Sequence, residues 1–416
     1  MLAVAVPRAR VLATTVLAAV VAVLLVLVPS GGAYAAAPAI AFTDTEPVAP
    51  GVVFHTFSLP TSHGTVQGYD LDVDLSQPGG ARLGLLRPDA NRVRTTPSAM
   101  ADALGAVAGV NGDFFNIEES QHPGVEPTGM TDGPEVSDGF GGKAAVPDSQ
   151  RFGPALPPGT STRDVFGVGR DGRARLGTLD LDGKVDLPDR TIALDGLNQY
   201  ALPENGVGAF TSWWGAASRL RATCGSDTRR AAPCSTRTLE VVVQDGRVTD
   251  MHPTPGAGLI DPDGFVLVAR DAGVDELAGL RVGDPVHVNA HLVPEGTSPF
   301  TFAVGGFPIL RGGAPLAGLD PVTLAPRTSA GATADGQHVH LVAVDGGAAS
   351  GNGLSVAELA DVQRDLGCAV ATNEDGGGST SIVARPAGGD HVLLRNRPSG
   401  GAERPVANGI GVFTSR

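Results

Sequence analysis

The run Glu374-Asp375-Gly376-Gly377-Gly378-Ser379-Thr380 is the most chemically loaded stretch of the chain, with two carboxylates before three glycines and two hydroxyls after them. Consecutive glycines permit positive φ and let the backbone approach a ligand closely, and their N–H groups can face an anion. A carboxylate at the edge of such a turn, Asp375, can move a proton or stabilise a developing cation. The apolar runs on either side, from Cys368 to Ala371 and around Ile382 and Val383, read as strand, tight turn, strand. A solvated hairpin would use the same residues, so the elements that position the stretch have to decide its meaning.

A helix precedes it. Ser355 and Glu358 form a capping box, Val356, Leu359, Val362 and Leu366 lie near one face, and Gly367 ends the run. Before that helix an alternating strand, Val339 to Val344, ends in Asp345-Gly346-Gly347. A right-handed crossover would make the two strands parallel, with Asp345 and Asp375 facing one cleft at their carboxyl ends. Further upstream, a buried strand turns at Asn111-Gly112 into Asp113, Phe114 and Phe115, polar groups beside an apolar wall as in a binding pocket. Thr96 to Ala106 reads as a helix with Pro97 in its first turn. Glu118 to Phe140 reads as a long surface loop able to cover a site. The alternation of Tyr69 to Leu75 marks a half-buried strand, whose Asp70, Asp72 and Asp74 read as a solvated face in preference to a metal ladder.

Between Phe152 and Pro299 short β-type runs alternate with turns, with a short helix over Asp275 to Leu280. The only tryptophans, Trp213 and Trp214, read as core in preference to a sugar platform. The fold expected is α+β: a mixed β-sheet core, a few packed helices and a β-rich insertion at 152–299 within a catalytic domain spanning 51–416.

A net charge of −14 and the lack of a Lys/Arg cluster argue against nucleic acid as a partner. Arg8 and Arg10, the apolar run Val11 to Val28 and Ala33-Tyr34-Ala35 mark residues 1–35 as a signal peptide, followed by a leader at 36–50. The protein is thus expected to be secreted, and to meet a membrane only if this segment stays uncleaved. Cys224 and Cys234 flank a polar loop and are expected to form a disulfide, which leaves Cys368 as a buried, inert thiol. No C-x-x-C or H-E-x-x-H zinc signature occurs.

Five segments in order resemble the motifs of the phosphodiester glycosidase family: Val110-Asn111-Gly112-Asp113-Phe114-Phe115, Arg327-Thr328-Ser329-Ala330-Gly331, Val344-Asp345-Gly346, Asn373 to Thr380, and Arg404-Pro405-Val406-Ala407-Asn408-Gly409. The resemblance extends from about Ala101 to Phe413, much of the middle excepted. It implies a secreted hydrolase that cleaves the sugar C1–O bond of glycosyl-1-phosphodiesters. Asp113 and Glu374 depart from the family pattern, which usually has a small and an apolar residue there. The added carboxylates leave room for Ca²⁺ or Mg²⁺, though the chemistry requires no cofactor and no metal ligands are assigned.

Cleavage with a phosphate leaving group needs that charge held and an oxocarbenium ion stabilised, with little leaving-group protonation. Arg327 and the N–H groups of Gly376, Gly377 and Gly378 suit the first task, and Asp375 or Asp345 the second. Asn111, Asp113, Ser379 and Asn408 would bind substrate. The glycan or sugar phosphodiester would come from cell-wall or extracellular material. A metal-dependent phosphodiesterase cutting P–O and a non-catalytic glycan-binding protein on the same fold are the alternatives.

Overall fold

The computed structural model describes residues 40–89, 94–347 and 353–414, so the segment read as a signal peptide lies outside the described residues. Strands dominate. An eight-stranded sheet runs in the order Phe42–Ala49, Val52–Thr61, Gly64–Asp74, His338–Val344, Arg327–Ala332, Val370–Asn373, Phe307–Arg311, Ala314–Pro315. Every neighbouring pair in it is antiparallel. A five-stranded sheet, ordered Leu393–Leu394, Ile382–Ala384, Ala108–Asn111, Gly409–Phe413, Arg82–Leu86, is antiparallel as well.

The expected mixed sheet is therefore corrected to a β-rich, largely antiparallel architecture. Among the described residues the parallel ladder is the short pairing of Gly196–Leu197 with Val207–Phe210. The two strands flanking the capped helix do run parallel in direction, but Arg327–Ala332 lies between them and pairs antiparallel with each. Its sequence, RTSAGA, carries small residues with no apolar alternation, so it lacks the signature of a buried strand.

Helices form where caps and apolar spacing agree. Ser355 and Glu358 complete their capping box around Val356–Asp365, and Thr96 accepts from Ala99 N at the start of Pro97–Leu104. The helix expected over Asp275 to Leu280 spans Gly273–Leu277. Val356, Leu359 and Val362 pack onto one face of the eight-stranded sheet with Phe307, Ile309 and Val342. The opposite face joins Leu71, Leu341 and Ala343 to Ala108, Val110 and Ile410 of the five-stranded sheet and to Phe166 and Phe302. The catalytic candidates sit at the rim of this shared core.

Three readings of the sequence change. Phe42–Ala49, within the expected leader, is an edge strand paired with Val52–Thr61. Asp70 is not on a solvated face: it is fully buried and meets His340 Nδ1 at 3.0 Å, in the layer that also holds Gln363 and Cys368. Burial raises its pKa despite the His340 partner. The segment Glu118 to Phe140 is anchored, not a loose cover. Glu119, His122, Thr131, Asp132 and Glu135 are buried.

The Cys224–Cys234 disulfide forms as expected. Its loop is tied to the anchored segment, because the His122 ring bridges Glu119 (2.6 Å) and the Ala232 carbonyl (2.8 Å), and Arg221 pairs with Glu119. Cys368 is a buried free thiol whose pKa burial pushes upward. Residues 152–299 do not close on themselves: Asp164–Gly169 pairs with Phe300–Gly305, which pairs with Glu135–Ser137. Among the described residues no helix is long and apolar enough to cross a membrane.

Candidate active site

The stretch at Glu374 to Ser381 is not a hairpin turn. Val370–Asn373 belongs to the eight-stranded sheet and Ile382–Ala384 to the five-stranded sheet, so the glycines carry the chain from one sheet to the other. The ends of Ala108–Asn111, Arg327–Ala332 and Gly409–Phe413 converge on the same crossing: Ser329 is opposite Asn373, Ile382 opposite Val110, and Gly409 opposite Asn111. This convergence brings motifs nearly 300 residues apart into one place.

Asn111 is the pin. Wholly buried, it donates from Nδ2 to the Asp375 carbonyl (2.6 Å), and its Oδ1 accepts from the Thr328 hydroxyl (2.7 Å) and Ser381 N (2.9 Å). Asp375 N donates to Gly112 O (2.8 Å). Asn408 makes a second pin, accepting from Asp113 N (2.9 Å) and donating to Glu135 Oε1 (2.9 Å). Asn111 and Asn408 thus spend their amides on the protein, fixing the backbone that carries Asp375 and Asp113.

Asp375 is only half-buried, with the three glycines after it. Burial raises its pKa to about 7, and nearby Asp132 adds to the shift, while the Ser379 hydroxyl, Arg404 and Gly376 N–H hold it down. Arg404 donates to Ser379 Oγ (3.3 Å) and lies directly on Gly378, where any Cβ would strike the guanidinium. In the turn, Gly377 N is bonded to Pro326 O and Ser379 N to Gly376 O. Among the described residues the Gly378 N–H has no such partner. The exposed face of the turn therefore offers one carboxylate, one guanidinium and an open N–H, with the buried Ser379 hydroxyl behind them bonded to Arg404, a set able to hold an anion beside a group of tunable charge.

The other expected residues are placed differently. Arg327 points its guanidinium at the carbonyls of Leu354 (2.9 Å) and Thr323 (2.6 Å), and burial lowers its pKa. Asp345 is 1% exposed, accepting from Tyr69 OH (2.9 Å) and Arg397 N (2.9 Å), with a pKa raised by burial. Its bonding is to the protein.

Glu374 points into the protein. It is fully buried, Oε1 accepts from the Thr372 hydroxyl (2.6 Å), and Oε2 has no partner. Burial, then Asp113 and Asp375, push its pKa well up. Asp113 accepts from Gly133 N (2.6 Å) and is also shifted upward, by burial and by Asp132.

Gly305 and Gly306 make room for these two carboxyls. A Cβ on Gly305 would meet the Asp113 carboxylate and lie 2.7 Å from Gly133 Cα; on Gly306 it would lie 2.6 Å from Glu374 Oε1. Gly305→Ala should cost about 1–3 kcal/mol by overpacking, seen as a lower urea midpoint. An unchanged midpoint would show that the close approach is not needed.

Sequence reasoning missed the layer behind. Lys143 is fully buried, donating to the carbonyls of Gly133 (2.7 Å) and Ala144 (2.8 Å), and burial lowers its pKa against the pull of Glu135, Asp113 and Asp132. Asp132 accepts from Tyr200 OH (2.7 Å) and Phe152 N (2.8 Å), with Arg151 at 3.8 Å. Arg151 also lies over the stacked pair Phe114 and Phe307. The Asp132-Gly133 dipeptide was the one available signal, and it reads as an ordinary turn. Among the described residues no three His, Cys, Asp or Glu side chains are grouped to hold a metal ion. Asp113 and Glu374, the two carboxyls read as leaving room for Ca²⁺ or Mg²⁺, are both buried.

A half-buried carboxylate thus stands at the head of a glycine turn that carries a guanidinium, on a β-rich scaffold. The family resemblance drawn from the motifs holds: residues 237–413 match the family model described as phosphodiester glycosidase. The overall fold is similar to a hypothetical protein from Synechocystis, at 22% identity and TM-score 0.66, covering 90% of this chain and 68% of that one. It is also similar to a putative exported protein from Burkholderia pseudomallei, at 24% identity and TM-score 0.64, covering 84% and 74%. The zebrafish N-acetylglucosamine-1-phosphodiester alpha-N-acetylglucosaminidase catalytic domain, auto-inhibited by its pro-peptide, aligns at 14% identity and TM-score 0.43 over 89% and 88%. No curated protein matches the sequence.

Proposed function

We propose that this protein is a secreted hydrolase of glycosyl phosphodiesters, acting on cell-wall or extracellular glycans and breaking the sugar C1–O bond. The observation that carries the reading is that the Arg404 guanidinium lies on Gly378 and bonds Ser379 Oγ in the glycine turn that follows Asp375, close enough to hold the Asp375 pKa down. Arg404, oriented by the buried Ser379 hydroxyl, and the Gly378 N–H hold the phosphate, which leaves as a monoester and needs no proton from the enzyme. Ionised Asp375 stabilises positive charge at C1 and takes the proton of the attacking water. Asn111 and Asn408 position the carboxylate without touching substrate. Arg327 and Asp345, the sequence-based candidates for phosphate holding and catalysis, serve instead to brace the ends of their strands. The disulfide supports an oxidising compartment and hence export.

Hydrolysis of a sugar-1-phosphodiester in ¹⁸O water tests the bond broken. Label is expected in the sugar hemiacetal, and label in the phosphate would favour the phosphodiesterase reading. Tight glycan binding with no turnover of any sugar-1-phosphodiester would favour the non-catalytic one.

A further inference from the structure

A cleft of about 980 Å³ lies away from the carboxylates, where the helix Pro97–Leu104 meets strands of the middle region. By contrast, the gap beside Asp113 and Asp132 measures about 10 Å³. The volume of the larger cleft falls within the range of small-molecule sites, and such sites favour junctions between layers. Leu104 and Phe140 line it and are 47% and 64% exposed, joined by Met100, Phe265 and Val288. Large apolar side chains left open to water in a concave surface are unfavourable unless something covers them.

Several polar groups in the cleft are already committed, although the Thr95 hydroxyl is buried without a partner. Asn198 donates to Gly142 O (2.7 Å) and to Thr211 Oγ (2.9 Å), and it accepts from Thr211 N (2.8 Å). The Trp213 indole N–H goes to Glu135 (2.8 Å). One face of that indole lies under the Arg87 guanidinium at 3.7 Å, and the ring packs directly on Gly142. A sugar would find one face of the Trp213 indole already covered and the Asn198 amide already spent.

Charge completes the description. Arg87 is the one cation among the described lining residues, and of its five donors one goes to the Trp213 carbonyl (3.1 Å). The acid in the lining, Asp89, is itself engaged. We propose that the cleft binds a single-chain anionic amphiphile, its alkyl or prenyl chain on Leu104, Phe140 and Phe265 and its carboxylate or phosphate head at Arg87. The site is independent of the hydrolytic reading above.

Calorimetric titration of the mature protein with dodecanoate, dodecyl phosphate, dodecanol and a linear glucose oligosaccharide, each below its micelle concentration, tests this. Both anionic amphiphiles are expected to bind one per chain, dodecanol about tenfold more weakly and the oligosaccharide not at all. Whichever anion binds more tightly tells an acyl source from a phosphoryl one, and either order supports the site. Leu104→Asp and Phe140→Asp change exposed side chains, so the fold should survive. Each should weaken binding at least about tenfold with turnover of a soluble sugar-1-phosphodiester unchanged. Dodecanol binding as tightly as the anions, oligosaccharide binding more tightly, or variants that bind normally would each overturn the proposal.

Discussion

Asp375→Asn is expected to lower kcat on a glycosyl phosphodiester by about 10³-fold while leaving the protein folded. The amide keeps the shape of the carboxyl but can neither take a proton nor face a cation with charge. The wild-type pH profile should show the same group. Activity requires ionised Asp375, so kcat should rise with pH through about 7 and then level off. Stability should move in the opposite sense. Asp375 has an ordinary pKa of 3.8 and a folded value near 7, so the folded state binds the proton more tightly. That raises no cost below about 4, but ionising the buried group costs stability as pH climbs between the two values. The Asn variant removes this cost: it should melt at or above the wild-type temperature at pH 8, with the difference shrinking toward pH 4. Full activity in Asp375→Asn would sink the assignment; lost activity with a collapsed melting temperature would make the residue structural.

Much of this site was legible because local rules agreed with the final structure. The capping box at Ser355 and Glu358, Thr96 before Pro97, and the two cysteines around a polar loop all act over a few residues, and all formed as read. The glycine run with its carboxylate was visible for the same reason. Pairing across long separations was not. Arg327–Ala332 is small-residue rich, so nothing in it announced a central strand that separates the two strands beside the helix.

The hairpin reading of Cys368 to Arg385 failed because the segments on either side of the glycines have no pattern that says which sheet each joins. Asp70 misled in the same way: strict alternation sets which face a residue takes, while burial of that face depends on a helix nearly 300 positions later. Asp132, Glu135 and Lys143 were invisible for another reason. In a linear sequence they are ordinary turn and surface residues, and their chemistry arises only when burial sets them against Asp113.

Arg404 is where the fold most alters the reading of the motifs. The Arg404 to Gly409 segment was part of the family resemblance, yet the phosphate was given to Arg327, which turned out to clamp backbone carbonyls. On the proposed reading the cation role falls to Arg404, whose guanidinium rests on Gly378, bonds Ser379 and lowers the pKa of Asp375. Arg404→Ala should therefore lower kcat/KM by about 10²–10³-fold, the usual scale for losing one charged group that stabilises a transition state. Arg404→Lys should recover only part, since a single ammonium cannot bond phosphate and Ser379 in the same plane. The loss should be large for sugar-1-phosphodiesters and small for an aryl glycoside, whose leaving group carries no phosphate. Gly378→Ala should imitate it, because the new methyl group takes the space of the guanidinium and pushes it off the turn. Arg327→Ala gives the contrast: it leaves the Leu354 and Thr323 carbonyls without their donor and should lower the melting temperature more than it lowers kcat/KM. If Arg404→Ala lost equal activity on both substrate types, the arginine would be acting through Asp375 alone and the phosphate would be held elsewhere.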